Sequence, residues 1–171
     1  MNIRRYREDD FQALARFYRE FYNEMREWQG WEQLKLDEEE AATTARECLS
    51  NNSTVFVAVD HGKPVGFARI QPWEGAYFVR EVFVEESARK KGVGSRLLVS
   101  CENFVRKKHE TSVYLTVEPR HSVSIEYLVH NGYDTLNMLE LRKDLIVNNL
   151  VRRKGSVEIL GHKLRLLKRK I

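Results

Sequence analysis

The stretch VREVFVEESARKKGVGSRLLVSCENFV, residues 79–105, opens with apolar residues in alternation and closes with apolar residues at helical spacing. Between the two lie Arg89, Lys90 and Lys91, then Gly92 and Gly94. A helix that begins directly after a strand presents unpaired backbone N–H groups and the positive end of its dipole. Glycines there remove the Cβ atoms that would keep an anion from the backbone, and the basic residues supply charge. The segment therefore predicts a strand, an anion-binding turn and a helix.

Two familiar phosphate loops do not fit. The mononucleotide loop needs Gly-Lys-Ser/Thr after its last glycine, where this chain has Gly94-Ser95-Arg96. The dinucleotide fingerprint needs a third glycine and a ribose-binding acid about twenty residues on. From the glycine pair alone, a solvated basic turn is an equal alternative.

Working outward, Phe11, Leu14, Ala15, Tyr18, Phe21, Tyr22 and Met25 form an amphipathic helical stripe, preceded by a short strand at NIRRY. Asp37 is placed to cap a second helix running to about Leu49, with Glu38, Glu39 and Glu40 in its first turn. STVFVAVD and VGFARIQPW, joined by HGKP, read as a hairpin, and AYFVREVFV as a third strand after Glu74-Gly75. After the basic loop come a helix ending near Lys107, a strand at TSVYLTV and a helix from Ser122 to His130 that stops at Asn131-Gly132. YDTLNMLEL reads as a last strand. This order predicts an α/β sheet, antiparallel early and parallel around the loop, with helices on both faces.

Composition sets the class. The 171 residues, 42% hydrophobic and 32% charged, suit a globular domain with a real core. No apolar run is long enough to span a membrane, and the N-terminus MNIRRYREDDF enters charge without an apolar leader. Cys48 and Cys101 are far apart and form no CxxC motif, so they read as reduced thiols of a cytoplasmic protein, with no metal framework. Residues 151–171 hold eight Lys/Arg and one Glu, a balance of +7, while the rest holds 21 basic and 24 acidic residues, a balance of −3. Basicity belongs to the tail.

REVFVEESARKKGVGSRLL resembles the acyl-CoA-binding motif of the GNAT superfamily of N-acetyltransferases, a strand followed by Gln/Arg-x-x-Gly-x-Gly/Ala and a helix. Arg89, Gly92 and Gly94 match the three fixed positions, and HSVSIEYLVHNGYDTL resembles a second family segment with Gly132-Tyr133 at its turn. The resemblance covers about residues 2–143. It implies a GNAT-like mixed, mostly antiparallel sheet with splayed central strands and helices on both faces. Residues 1–143 would form the acetyltransferase domain, and 144–171 a basic extension with a small hairpin. It further implies acetyl-CoA as co-substrate and transfer to an amine of a small molecule or protein. Val82, Phe83 and Val84 would meet the pantetheine arm through main chain. Arg89, Lys90, Lys91, Gly92, Val93, Gly94 and Ser95 would wrap the pyrophosphate, and no metal is implied.

For catalysis, Glu81 on the same strand is the expected general base, acting through water among Val79, Val82 and Phe83. An ion pair with a strand arginine, Arg69 or Arg80, is its alternative. The family's frequent tyrosine acid falls on Leu128, with Tyr127 one residue earlier and turned about 100° away. A thiol of pKa about 8.5 leaves adequately as thiolate near neutral pH, so a missing acid does not exclude turnover. His121 stands at the family's asparagine position as a candidate cofactor contact, and Ser124 at its small alanine. Trp28, Trp31, Trp73 and Tyr77 line an acceptor pocket or complete the core.

Two other readings compete with the enzyme. One is a CoA-binding regulatory domain without turnover, suggested by Leu128. The other is nucleic-acid binding through the tail, which is disfavoured because a solvated face is the commoner use of such charge. The tail is expected to pack on the domain or on a second subunit of a homodimer.

Overall fold

The computed structural model describes residues 1–29, 34–50, 52–143 and 151–169. In chain order the elements are β1 (Asn2–Arg5), α1 (Phe11–Gln29), α2 (Glu38–Ser50), β2 (Thr54–Asp60), β3 (Lys63–Trp73) and β4 (Ala76–Val84). Then follow α3 (Val93–Arg106), β5 (Tyr114–Leu115), α4 (Ser122–His130), β6 (Val151–Ile159) and β7 (His162–Arg169). The chain divides into two compact units, residues 1–25 with 35–116, and residues 26–34 with 117–171. Trp31 lies outside the described residues.

The first unit carries a five-stranded sheet in the order β1-β2-β3-β4-β5. The first three pairings are antiparallel and β4–β5 is parallel. The architecture is thus mixed α/β with a mostly antiparallel sheet. Its tight turns use left-handed residues, His61-Gly62 between β2 and β3 and Glu74-Gly75 between β3 and β4, the two-residue geometry that matches strand twist.

One face packs against α1 and α2. Leu14, Phe17, Tyr18 and Phe21 recur at helical spacing and meet Val55, Val57, Phe67 and Phe83. Phe17 stacks on Phe67 at 6.2 Å and tilts against Phe83 at 5.5 Å. Each such fully buried side chain contributes about 1.5–3 kcal/mol. The opposite face packs against α3, where Leu97, Leu98, Cys101 and Val105 are buried. Phe104 meets Phe56 and Tyr77 edge-on at 6.3 and 5.8 Å. Tyr77 therefore belongs to the core beneath α3.

Local signals place the helix ends. The Asp37 carboxylate accepts the Glu40 N–H at 2.8 Å and the Glu40 side chain accepts the Asp37 N–H at 3.1 Å, a reciprocal cap on α2. In the second unit, α4 ends with Gly132 at φ 87°, its N–H donating to the Val129 carbonyl and the Tyr133 N–H to Leu128, the Schellman arrangement. Also in this unit, β6 and β7 form an antiparallel hairpin turning at Leu160-Gly161.

Two expected strands differ. TSVYLTV contributes only Tyr114 and Leu115 to the sheet. Residues 134–143 adopt neither helix nor strand, and Leu136, Met138 and Leu141 are mostly exposed. Their alternation supplies a face but not a hydrogen-bonding neighbour, and a strand requires both. Among the described residues no helix is long and apolar enough to cross a membrane.

Candidate functional site

The last residues of β4 are held on one side only. β5 pairs with β4 at Phe78 and Val79 alone, whereas β3 follows β4 to Val84. A bulge opposite Arg69 and Ile70 inserts Arg80 as an extra residue at the point where β5 leaves, and bulges increase local twist. The Glu85 N–H donates to the Val65 carbonyl at 3.0 Å, which sets the phase of the antiparallel ladder. By alternation the peptide groups of Phe83 turn toward β3, and those of Val82 and Val84 turn to the open edge. The Val84 carbonyl indeed accepts the Arg89 Nε at 2.8 Å. Of the three strand residues singled out from sequence, Val82 and Val84 present main chain outward, while Phe83 has its ring in the core and its amide on β3.

The loop beyond this edge starts α3 without a side-chain cap. The first intrahelical bond runs from the Arg96 N–H to the Gly92 carbonyl, so the N–H groups of Val93, Gly94 and Ser95 have no helical partner. Lys90 and Gly92 both take positive φ, 60° and 73°, which turns the backbone twice within three residues. A Cβ at Gly92 would meet nothing within 4 Å, so that surface is open to an approaching group. Arg89, Lys90 and Lys91 are exposed around it. The Lys91 Nζ donates to the Ser87 carbonyl at 2.8 Å. Residues 89–95 and the outward peptide groups of Val82 and Val84 thus form one contiguous, positively charged stretch of open backbone able to hold an anion with an extended amide chain.

Glu24 was not singled out from sequence. Its two carboxylate oxygens accept from Arg89 Nη2 at 2.6 and 2.8 Å. Nothing in the local pattern of α1 marks it, because its partner lies 65 residues away.

Glu81 is buried, and both of its oxygens are held by Arg69, Nε to Oε2 at 2.5 Å and Nη2 to Oε1 at 2.7 Å. Arg69 also donates to Ser53 at 3.0 Å and Gln71 at 3.3 Å. Burial opposes the charge on Arg69, but its bonds to Glu81 and the adjacent carboxylate outweigh that and raise its pKa. Tyr18 and Cys48 approach the pair from α1 and α2, and burial foremost raises the pKa of both. The ion pair expected as the alternative for Glu81 is formed, with Arg69. Arg80 instead lies over Trp73 at 4.7 Å and Phe78 at 5.1 Å.

In the second unit His121 precedes α4, its Nδ1 2.5 Å from Ser124 Oγ and its ring edge-on to Trp28 at 4.8 Å. Arg120 lies over Trp28 at 5.1 Å and pairs with Glu118. Leu128 is buried in α4, so the family's tyrosine position carries a packing residue. Both cysteines are free and buried, and burial pushes the Cys101 thiol up to about 12.

Against known proteins, the model of the GNAT acetyltransferase family matches residues 11–133. An uncharacterized N-acetyltransferase of Bacillus subtilis, YhfO, is 29% identical over 144 residues, covering 78% of this chain and 90% of that protein. Among solved structures, that of a "probable acetyltransferase" is 17% identical with a TM-score of 0.69, covering 87% of this chain and all of the other. AAC(6')-Iy, solved with the bisubstrate analogue CoA-S-monomethyl-acetylneamine, is 15% identical with a TM-score of 0.64, covering 85% of this chain and 98% of the other. At such identities the structures speak for the fold alone. The family match spans most of the chain, and the protein belongs to the GNAT family of acetyltransferases.

Proposed function

We propose that the protein is an N-acetyltransferase that moves the acetyl group of acetyl-CoA to a primary amine by direct attack. The observation that supports this most is the continuity, within one unit, of the open β4 edge and the uncapped start of α3. An extended amide-bearing arm matches the outward peptide groups of Val82 and Val84, and a pyrophosphate matches the N–H groups of residues 93–95. Arg89, Lys90 and Lys91 supply the countercharge. Bound there, acetyl-CoA supplies the activated thioester.

The amine nitrogen attacks the thioester carbonyl carbon, the N–C bond forms as the C–S bond breaks, and sulfur departs as thiolate. The nitrogen's proton passes through water to Glu81, whose carboxylate keeps acceptor capacity beyond the two bonds from Arg69. The pair with Arg69 competes for the same oxygens, so most of the acceleration on this reading comes from orientation of amine and thioester. His121 is proposed as a further contact to the cofactor.

Release of free thiol from acetyl-CoA by the full chain, with a panel of primary amines, tests the proposal. Amine-dependent release that disappears in Gly94→Glu, with folding retained, is expected. Coenzyme A binding without release for any amine would leave a binding domain in place of an enzyme.

A further inference from the structure

The bulge in β4 sets a positive charge on the sheet face that carries the Arg69–Glu81 pair. Arg80 is the inserted residue, and its guanidinium lies over Trp73 at 4.7 Å and over Phe78 at 5.1 Å. Cross-strand partners and every second residue share a face, so Phe78, opposite Gln71, lies on the face of Arg69 and Glu81. Phe78 in turn stacks on Tyr114 of β5 at 5.3 Å. Among the described residues Arg80 has no carboxylate partner, and Glu81 is taken by Arg69. Aromatic rings hold a cation without cancelling its charge. Burial foremost raises the pKa of Tyr18 and Cys48, which keeps both uncharged beside the pair. Glu74, in the turn beyond Trp73, is exposed and screened by solvent. Two cations thus stand against one carboxylate where the open edge of β4 begins.

We propose that Arg80 makes this end of β4 select the acceptor amine in its neutral form. The inference rests on the amine acetylation proposed above, and deepens it by naming how the nucleophile is prepared. A primary alkylamine has a pKa close to that of lysine, about 10.4, and is protonated at neutral pH. Only the neutral form carries the lone pair that attacks. To reach a thioester on the edge that opens at Val82, the amine comes to within two residues of Arg80. An uncompensated positive charge there disfavours the ammonium and leaves the neutral amine unaffected. The ammonium proton goes to bulk water as the amine binds. The second proton, shed by nitrogen after the N–C bond forms, follows the water path to Glu81. A guanidinium suits this task because it stays charged throughout the pH range of proteins.

The test uses the full chain saturated with coenzyme A and follows two amines by NMR titration at about pH 8. Ethylamine is charged there, and 2,2,2-trifluoroethylamine, whose fluorines withdraw electrons from nitrogen, is neutral. Arg80→Gln should tighten ethylamine about tenfold and leave trifluoroethylamine unchanged. Arg80→Lys, which loses the flat stack but keeps the charge, should hold both affinities at the wild-type level. With acetyl-CoA, KM and kcat for ethylamine should fall together in Arg80→Gln, since the bound amine is then the unreactive ammonium. Ethylamine affinity unchanged or weakened in folded Arg80→Gln overturns the proposal, as does a wild-type chain that binds neither amine. Equal tightening in Arg80→Lys would trace the effect to the stack, which also overturns it. Tightening in Arg80→Gln alone, without thiol release from any of the three chains, keeps the role of the charge and removes the acetylation reading instead.

Discussion

Arg69 and Glu81 are cross-strand partners on β3 and β4, joined through both carboxylate oxygens where β4 takes in the extra residue Arg80. The pair is buried on the face covered by α1 and α2. Its first consequence is structural. Removing one partner leaves a buried charge unpaired, so Glu81→Gln should cost about 3–5 kcal/mol. The double change Arg69→Met with Glu81→Leu should recover most of that stability, as read by urea unfolding. The catalytic reading needs a different measurement. If Glu81 takes the amine's proton, folded Glu81→Gln protein should turn over about 10²- to 10⁴-fold more slowly with coenzyme A affinity retained. An unchanged rate in the folded variant assigns Glu81 to structure alone.

Gly66 faces Val84 across the same pair of strands. A Cβ there would lie 2.5 Å from the Phe83 carbonyl oxygen and 3.1 Å from the Val84 Cα. Both neighbours are backbone and cannot rotate away. Gly66→Ala should therefore destabilise by about 1–3 kcal/mol and push the end of β4 from β3. Cofactor affinity should fall with stability, since the open edge begins at Val82 and Val84. An alanine variant with unchanged melting would show that the two strands separate freely at this end.

Glu24 and a bound phosphate would compete for Arg89. The pair is exposed, with side chains 55% and 39% accessible, and such pairs contribute about 0–1 kcal/mol. Glu24→Gln should accordingly tighten coenzyme A up to about fivefold and steepen its salt dependence. Weaker binding would mean that Glu24 positions Arg89 for the ligand. Gly94→Glu, which puts a carboxylate at the helix start, should abolish binding in the same assay.

Most of the fold could be read from the chain because its signals are local. The stripe of α1, the Asp37 cap and the Asn131-Gly132 stop each depend on residues within one or two turns. The loop was legible for the same reason, since Arg89 to Ser95 are contiguous and the helix follows at once. What sequence left open depends on register. Whether Glu81 meets Arg69 or Arg80 is decided by one inserted residue, because a slip of one turns a side chain to the opposite face. Glu24 with Arg89 joins elements 65 residues apart and has no local trace. The alternation at 133–141 misled because periodicity reports a face and not a neighbour.

Asp10 gives the fold a defined acid sensitivity. Its carboxylate is buried at the start of α1 and accepts from Arg4 at 2.6 and 2.8 Å and from the Arg7 N–H at 2.8 Å. The bonds from Arg4 foremost, against the cost of burial, hold its pKa below the ordinary aspartate value. A carboxylate lowered on folding stabilises the native state above its unfolded pKa, and that contribution is lost as pH falls through the folded value. Asp10→Asn should lower stability near neutral pH by about 1–3 kcal/mol, and the gap to wild type should close on acidification below about pH 4. Urea unfolding of both proteins at neutral and acidic pH measures the gap directly. A gap that is constant with pH would assign the loss to helix-start geometry, with no contribution from the charge.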